Sequence, residues 1–171
     1  TCSFSNDYEI INRVLIYRMW CSSAEDFEGK YRTINYYEMI DGGMMELKSK
    51  YVLSKGILSH IDVVKNDGRY WLVGNDVSIG GFPLRLYSFA SPDEKKYKYE
   101  GFLLSHGKRG CWDDRVIYRP SVVSVNQKLW LYYSAYGTNP KTSNHVGLIR
   151  FKDWNDMLKC FVKDKYLIFN K

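Results

Sequence analysis

Residues 60–75 read "HIDVVKNDGRYWLVGN", and residues 119–134 read "RPSVVSVNQKLWLYYS". Set one above the other, Val63 falls on Val122, Val64 on Val123, Arg69 on Lys128, Trp71 on Trp130 and Leu72 on Leu131, every match at an offset of 59. In each stretch a short apolar run meets a polar turn and then an aromatic-rich run. The first turn is Asn66-Asp67-Gly68 and the second Val125-Asn126-Gln127. Asp-Gly between alternating hydrophobics favours a tight two-residue turn, so each copy reads as a β-hairpin.

The repeat extends outward from these hairpins. Third strands follow as "LRLYSFAS" and "VGLIRFKDW", the second after the Gly/Asn/Pro-rich loop "YGTNPKTSN". A fourth strand closes the middle unit as "YKYEGFLLSHG", and its ending matches the earlier "SKYVLSKG" at an offset of 51. That places another unit upstream, with strands at "RVLIYRMWC" and "TINYYEMI" but no clear inner strand. Repeats of this length, each of four antiparallel strands, are the sequence signature of β-propeller blades. The fold class expected is therefore all-β. One domain spans 1–171, with about three blades at 8–56, 57–107 and 108–171, part of a five-bladed propeller. The alternative is a two-sheet β-sandwich, which suits the length equally. Asp153 to Phe161 has apolar spacing compatible with one short helix, and the final "KYLIFNK" reads as a strand. Three blades leave two open edges, which other structure must cover.

Composition supports this class and narrows the rest. The chain of 171 residues is 45% hydrophobic and 16% aromatic, enough for one sizeable core, and its fifteen tyrosines and five tryptophans suit pleated, half-buried surfaces. The net charge of +6 permits attraction to anionic partners. Basic and acidic residues are interspersed, however, and Lys95 and Lys96 sit in a solvated turn, so no nucleic-acid signature is present. Cys2, Cys21, Cys111 and Cys160 form no CxxC, which suggests neither a zinc site nor a redox motif. Their even number is compatible with disulfides without arguing for them. No stretch is long and apolar enough for a membrane span. The N-terminus lacks a signal-peptide pattern, and the chain opens without methionine, so a mature form, a proteolytic product or a piece of something longer is expected. No cofactor or metal is implied, and nothing assigns a compartment.

His60 and Asp62 stand out on a strand that otherwise feeds a core. Strand residues alternate faces, so His60, Asp62 and Val64 are expected on one face, with Arg119, Ser121 and Val123 equivalent in the later copy. Polar groups at the entry of an inner strand lie at the mouth of a propeller's axial channel, where convergent polar groups on an apolar scaffold make a ligand site. The same residues could equally hydrogen-bond neighbouring loops.

The stretches "SHIDVVKNDGRYWLV", "VIYRPSVVSVNQKLWLYYSA" and "HVGLIRF" resemble successive blades of the five-bladed propeller glycosidases that include glycoside hydrolase families 32 and 43. The resemblance spans roughly residues 50 to 155. It implies an axial pocket in which carboxylates from different blades act on a glycosidic bond, at least one protonating the leaving oxygen and another serving as nucleophile or base. It implies for Asp62 the role of transition-state stabiliser or pKa modulator. His60 and Arg119 would bind sugar hydroxyls or a carboxylate, Arg by its bidentate fork.

Departures from that pattern limit the reading. No "NDPNG", "RDP" or "EGP" stretch is present, so neither the base or nucleophile nor the acid is assignable. Glu100 falls on an outer strand and is expected to be solvated. Asp113 and Asp114 lie in a loop entering an inner strand, where pocket residues occur, and are equally readable as a turn or an ion pair with Arg115. Trp112 beside them either stacks on a sugar face or packs. A glycoside hydrolase-like protein with a carbohydrate ligand is thus expected, its missing acids on an absent N-terminal half or another chain that completes the propeller. A non-catalytic carbohydrate-binding, structural or receptor-binding module is the alternative.

Overall fold

The computed structural model describes residues 3–24, 32–53, 57–126, 128–138 and 145–160. Among these described residues eleven strands form three antiparallel sheets in chain order, and one short helix follows the last strand. Blade A contains β1 (Ser3–Ile11), β2 (Val14–Ala24), β3 (Arg32–Ile40) and β4 (Glu46–Val52) in the order β1-β2-β3-β4. Blade B contains β5 (Leu58–Asn66), β6 (Arg69–Asp76), β7 (Leu84–Phe89) and β8 (Lys98–Leu104), ordered alike. Blade C contains β9 (Val116–Val125), β10 (Lys128–Tyr136) and β11 (His145–Phe151), followed by α1 (Trp154–Lys159). The fold is all-β with propeller-like blades. The sheets stack in series as A on B on C rather than as one sandwich of two layers. Blade A does have an inner strand, β1, which the sequence repeat does not reveal. The strand expected at "KYLIFNK" lies outside the described residues.

Two separate cores join the blades. Between A and B, Trp20, Ile34 and Tyr36 meet Leu58, Ile61, Val63, Leu72, Tyr87 and Phe89. Between B and C, Trp71, Val73, Leu84 and Leu86 meet Ile117, Val122, Leu129, Leu131 and Met157. Blade B is consequently buried on both faces, which explains why β6 and β7 carry almost no polar alternation: every residue from Tyr70 to Asp76 and from Leu84 to Phe89 is buried. The buried charged residues of those strands pair with each other. Arg85 makes a buried ion pair with Asp76 and lies over the Phe102 ring, 4.3 Å from its centroid.

The inner strands β1, β5 and β9 each pair with one neighbour only, so half of their backbone groups face away from the sheet. Side chains from the preceding blade satisfy several of them, and the pattern repeats. Ser5 Oγ accepts the Val63 N–H at 2.9 Å, and Asp62 Oδ2 accepts the Val122 N–H at 2.7 Å, with Val63 and Val122 equivalent by the 59-residue offset. In the second strands, Ser22 Oγ donates to the Leu58 carbonyl at 2.5 Å and Asn75 Nδ2 to the Ile117 carbonyl at 2.9 Å, again equivalent acceptors. Asn75 also donates to the Phe82 carbonyl and accepts the Arg119 N–H at 2.8 Å.

Asn75 is fully buried and serves three backbone groups, and each buried group left unsatisfied costs about 1–3 kcal/mol. Asn75→Ala should therefore lower the unfolding free energy by about 3 kcal/mol or more in urea titrations, against about 1 kcal/mol for Ser22→Ala. A loss under about 1 kcal/mol for Asn75→Ala would contradict this stitching role.

Candidate functional site

His60 and Arg119 occupy the same structural irregularity in successive blades. The β5–β6 register shifts between Ser59 and Ile61, leaving His60 as the extra residue of a β-bulge, and the β9–β10 register shifts across Arg119 and Pro120. Both residues have left-handed backbone, with φ of 47° and 52°. Non-glycine residues held there are strained and cluster at ligand sites, and bulges re-aim side chains. The bulge also corrects the expected alternation. An extra residue between Ser59 and Ile61 breaks the two-residue period, so His60 and Asp62 are not placed by a common strand face.

The two bulges converge on Tyr118. The His60 ring meets the Tyr118 ring edge-on at 6.3 Å between centroids, and the Arg119 guanidinium lies over the same ring at 5.6 Å. Tyr118 contacts Tyr136 at 6.0 Å, over which Arg115 lies at 5.6 Å. His60 Nδ1 is 3.1 Å from Ser59 Oγ, and the Arg119 side chain is exposed. The product is a surface of two cations, an imidazole and two phenol rings at the entry end of the inner strands. Guanidinium, imidazole and phenol groups are the donors and stacking faces that polyhydroxylated ligands use.

Asp62 sits deeper, between β1 and β9. Its Oδ1 accepts from Ser5 Oγ at 2.8 Å and its Oδ2 from the Val122 N–H. Burial pushes the Asp62 carboxyl above its ordinary value, and the hydrogen bonds from Val122 and Ser5 oppose that rise.

Trp112, Asp113 and Asp114 form a second group on the loop before β9. Trp112 stacks on Tyr133 at 5.8 Å and meets His145 edge-on at 5.7 Å. Asp113 Oδ2 accepts from the Tyr133 hydroxyl at 3.4 Å. Asp114 accepts from the N–H groups of Gly110 and Thr138, both at 2.6 Å, and from Thr138 Oγ1 at 3.0 Å. Those backbone donors hold its carboxyl below the usual carboxylate range. These contacts close a turn around Asp114, one of the readings its position in the sequence allows. Gly137 is required beside it, because a Cβ there would lie 2.8 Å from the Cys111 carbonyl. Glu100, on the outer strand β8, accepts from Ser88 and pairs with Lys98.

Sequence reasoning missed Ser5, Ser22 and Asn75, whose identities differ from blade to blade, and Tyr118, which sits where Ser59 does in the middle unit. Among the described residues no cluster of three or more His, Cys, Asp or Glu is poised to hold a metal, and no helix is long and apolar enough to cross a membrane. Cys111 and Cys160 are free thiols, and Cys2 lies outside the described residues.

No known protein-family profile matches the chain, and no curated protein does either. Solved structures do. A family 117 glycoside hydrolase from the marine bacterium Zobellia galactanivorans superimposes with a TM-score of 0.68 at 18% identity, over 98% of this chain and 57% of that one. An N-acetylgalactosamine deacetylase from F. plautii, solved with blood group B trisaccharide, gives 0.67 at 17% identity, over 93% and 51%. A family 32 β-fructofuranosidase from Bombyx mori gives 0.60 at 18%, over 96% and 37%. The chain thus spans about half the length of the structures it resembles, and the fold it shares with them is the propeller-type fold of carbohydrate-acting proteins.

The raised Asp62 pKa has a defined sign. A carboxyl that titrates higher when folded stabilises the folded state most below its unfolded value of about 3.8, and that contribution is lost as pH rises through the folded value. The neutral side chain introduced by Asp62→Asn could keep both contacts, its oxygen on the Val122 N–H and its amide on Ser5. Urea titrations of this variant should therefore gain on the wild type as pH increases from 3.8 upward. A stability difference independent of pH would contradict the burial of a titrating carboxyl here.

Proposed function

We propose that this chain is part of a carbohydrate-active, glycosidase-like propeller of the family 43 and 32 type, and that sugar hydroxyls bind at the axial mouth beside His60, Arg119, Tyr118 and Tyr136. The observation that carries this reading is the pair of left-handed bulges, which directs one nitrogen-bearing side chain from each of two adjacent inner strands onto a shared tyrosine ring. Strain repeated at the same place in two blades is retained for something other than stability. Likeness to proteins that act on glycosides, acetylated sugars and fructosides supports a sugar as the ligand.

In this proposal Asp62 does not attack or protonate the substrate, because both its oxygens are engaged inside the protein. It is the buried charge that fixes the pocket wall and biases the ionisation of carboxylates brought near it, the modulating role the resemblance implies. Trp112, Asp113 and Asp114 open the neighbouring inner strand at the same end of the blades, where a longer saccharide would cross. The engagement of Asp62 also favours a second reading, in which these blades bind a sugar without cleaving it. The two differ in whether further blades bring a pair of carboxylates to the mouth. Propellers support many chemistries, so the site rather than the fold decides.

The test is calorimetric titration of arabinobiose, sucrose and blood group B trisaccharide into the protein in the assembly isolated from its source. At least one should bind saturably. Arg119→Gly should weaken it about ten-fold or more, the usual consequence of losing a hydrogen bond from a charged donor. Glycine also relieves the left-handed strain, so the variant should be as stable as the wild type or up to about 1 kcal/mol more so. Binding of none of the three, or binding unchanged in Arg119→Gly, would contradict the proposal.

A further inference from the structure

Blades B and C leave a second hollow at the opposite end of their inner strands from the axial mouth. β5 runs from His60 at the mouth to Asn66 at its far end, roughly 20 Å at the rise of an extended strand. There the β5–β6 turn, the end of β9 and α1 line a cavity of about 500 Å³, a usual size for a small-molecule site. Its lining comes from blades B and C and α1, so this site is built without blade A or any further blade.

Both walls are fixed in place. Met157 of α1 is fully buried in the core between blades B and C, Trp154 stacks on Trp71 of β6 at 5.2 Å, and Asp153 caps the helix by accepting the Asp156 N–H at 2.8 Å. Opposite, Asp67 and Gly68 have φ of 48° and 70°, the left-handed pair that a type I′ turn requires. The cavity is therefore preformed.

The chemistry of these walls selects the ligand. Trp71 is only 8% exposed, whereas Trp154 is half-buried, so Trp154 offers the ring surface that a ligand can reach. Around it, the side chains of Asn66, Asp67, Ser124 and Asn155 have no hydrogen-bond partner among the described residues. Arg69 gives one N–H to Ser88 Oγ at 3.2 Å, which anchors the guanidinium and leaves it further donors. An apolar ligand would leave these groups unmet. An anion would face the carboxylates of Asp67 and Asp153, and a cation would face Arg69. A neutral polyhydroxylated ligand suits all of them, because each hydroxyl both donates and accepts, and the C–H face of a sugar ring packs on an indole.

We infer that this cavity is a second saccharide site, remote from the axial mouth, in which a neutral sugar ring lies on Trp154 and shares its hydroxyls among Asp67, Arg69 and Asn155. The inference is independent of the reading of the mouth, since the two sites have no residue in common.

The test is binding of the protein, in the assembly isolated from its source, to an array of immobilised neutral, acidic and amino saccharides. Ser124→Trp, Asp67→Asn and Arg119→Gly are run beside the wild type. Ser124 is exposed, so a tryptophan there fills the cavity without entering the core. Asp67→Asn removes the charged acceptor and keeps the turn, because Asn-Gly favours the same type I′ geometry. At least one neutral saccharide should bind wild type and Arg119→Gly alike, bind Ser124→Trp not at all, and bind Asp67→Asn about ten-fold more weakly. Three results would overturn the inference. One is that no neutral saccharide binds, and another that only acidic or amino saccharides respond to Ser124→Trp. The third is that every neutral saccharide bound is lost in Arg119→Gly and untouched by Ser124→Trp and Asp67→Asn, which would assign the sugar to the mouth and leave that proposal standing.

Discussion

An inner propeller strand has a sheet on one side and none on the other, and the unpaired side must still satisfy its backbone groups. This constraint organises the molecule. Every second N–H and C=O of β5 and β9 turns away from its own blade, and the preceding blade answers with one hydroxyl or carboxylate from its inner strand and one hydroxyl or amide from its second strand. Each bond contributes only about 0.5–1.5 kcal/mol net, but leaving its backbone partner buried and unmet costs more. Hydrophobic burial presses the blades together. The directional bonds set their register.

The same bonds tie the architecture to the candidate site. Asn75 holds the Ile117 carbonyl with its amide nitrogen and the Arg119 N–H with its oxygen. The residue that locks blade B to blade C therefore also holds the bulge that turns Arg119 towards Tyr118. Asp62 has a parallel place, since it fixes Val122 on β9 while Ser5 links it back to β1. A carboxylate spanning three inner strands is a stiff foundation for side chains arrayed above it. Blade A has no bulge in the corresponding stretch, because β1 pairs with β2 without a register shift. The left-handed bulge residues of the inner strands, His60 and Arg119, belong to blades B and C.

The repeat made most of the fold legible. Matching apolar and aromatic residues at one constant offset located both hairpins, and the blade reading followed from strand count and spacing. β1 escaped because "SFSNDYEII" shares no side-chain pattern with β5 or β9, and its register with them differs by the bulge residue. The short helix was visible from its apolar spacing, and Asp153 caps it by accepting the Asp156 N–H. The site was half legible. His60, Asp62 and Arg119 were singled out as polar groups at the entry of inner strands, but period-two reasoning cannot see a bulge, which has no fixed residue type. Ser22 and Asn75 do one job with different chemistry, so no similarity of sequence marks them.

Amide hydrogen exchange at Val63 and Val122 tests the central constraint most directly. Both N–H groups lie on the unpaired edge of an inner strand and would exchange readily if that edge were merely solvated. Both should instead be slow in the wild-type protein, with Ser5→Ala releasing Val63 and Asp62→Ala releasing Val122. Fast exchange at both in the wild type would contradict the account. So would equal release of both amides by either substitution, which would mean that general destabilisation, rather than a specific bond, governs the edge.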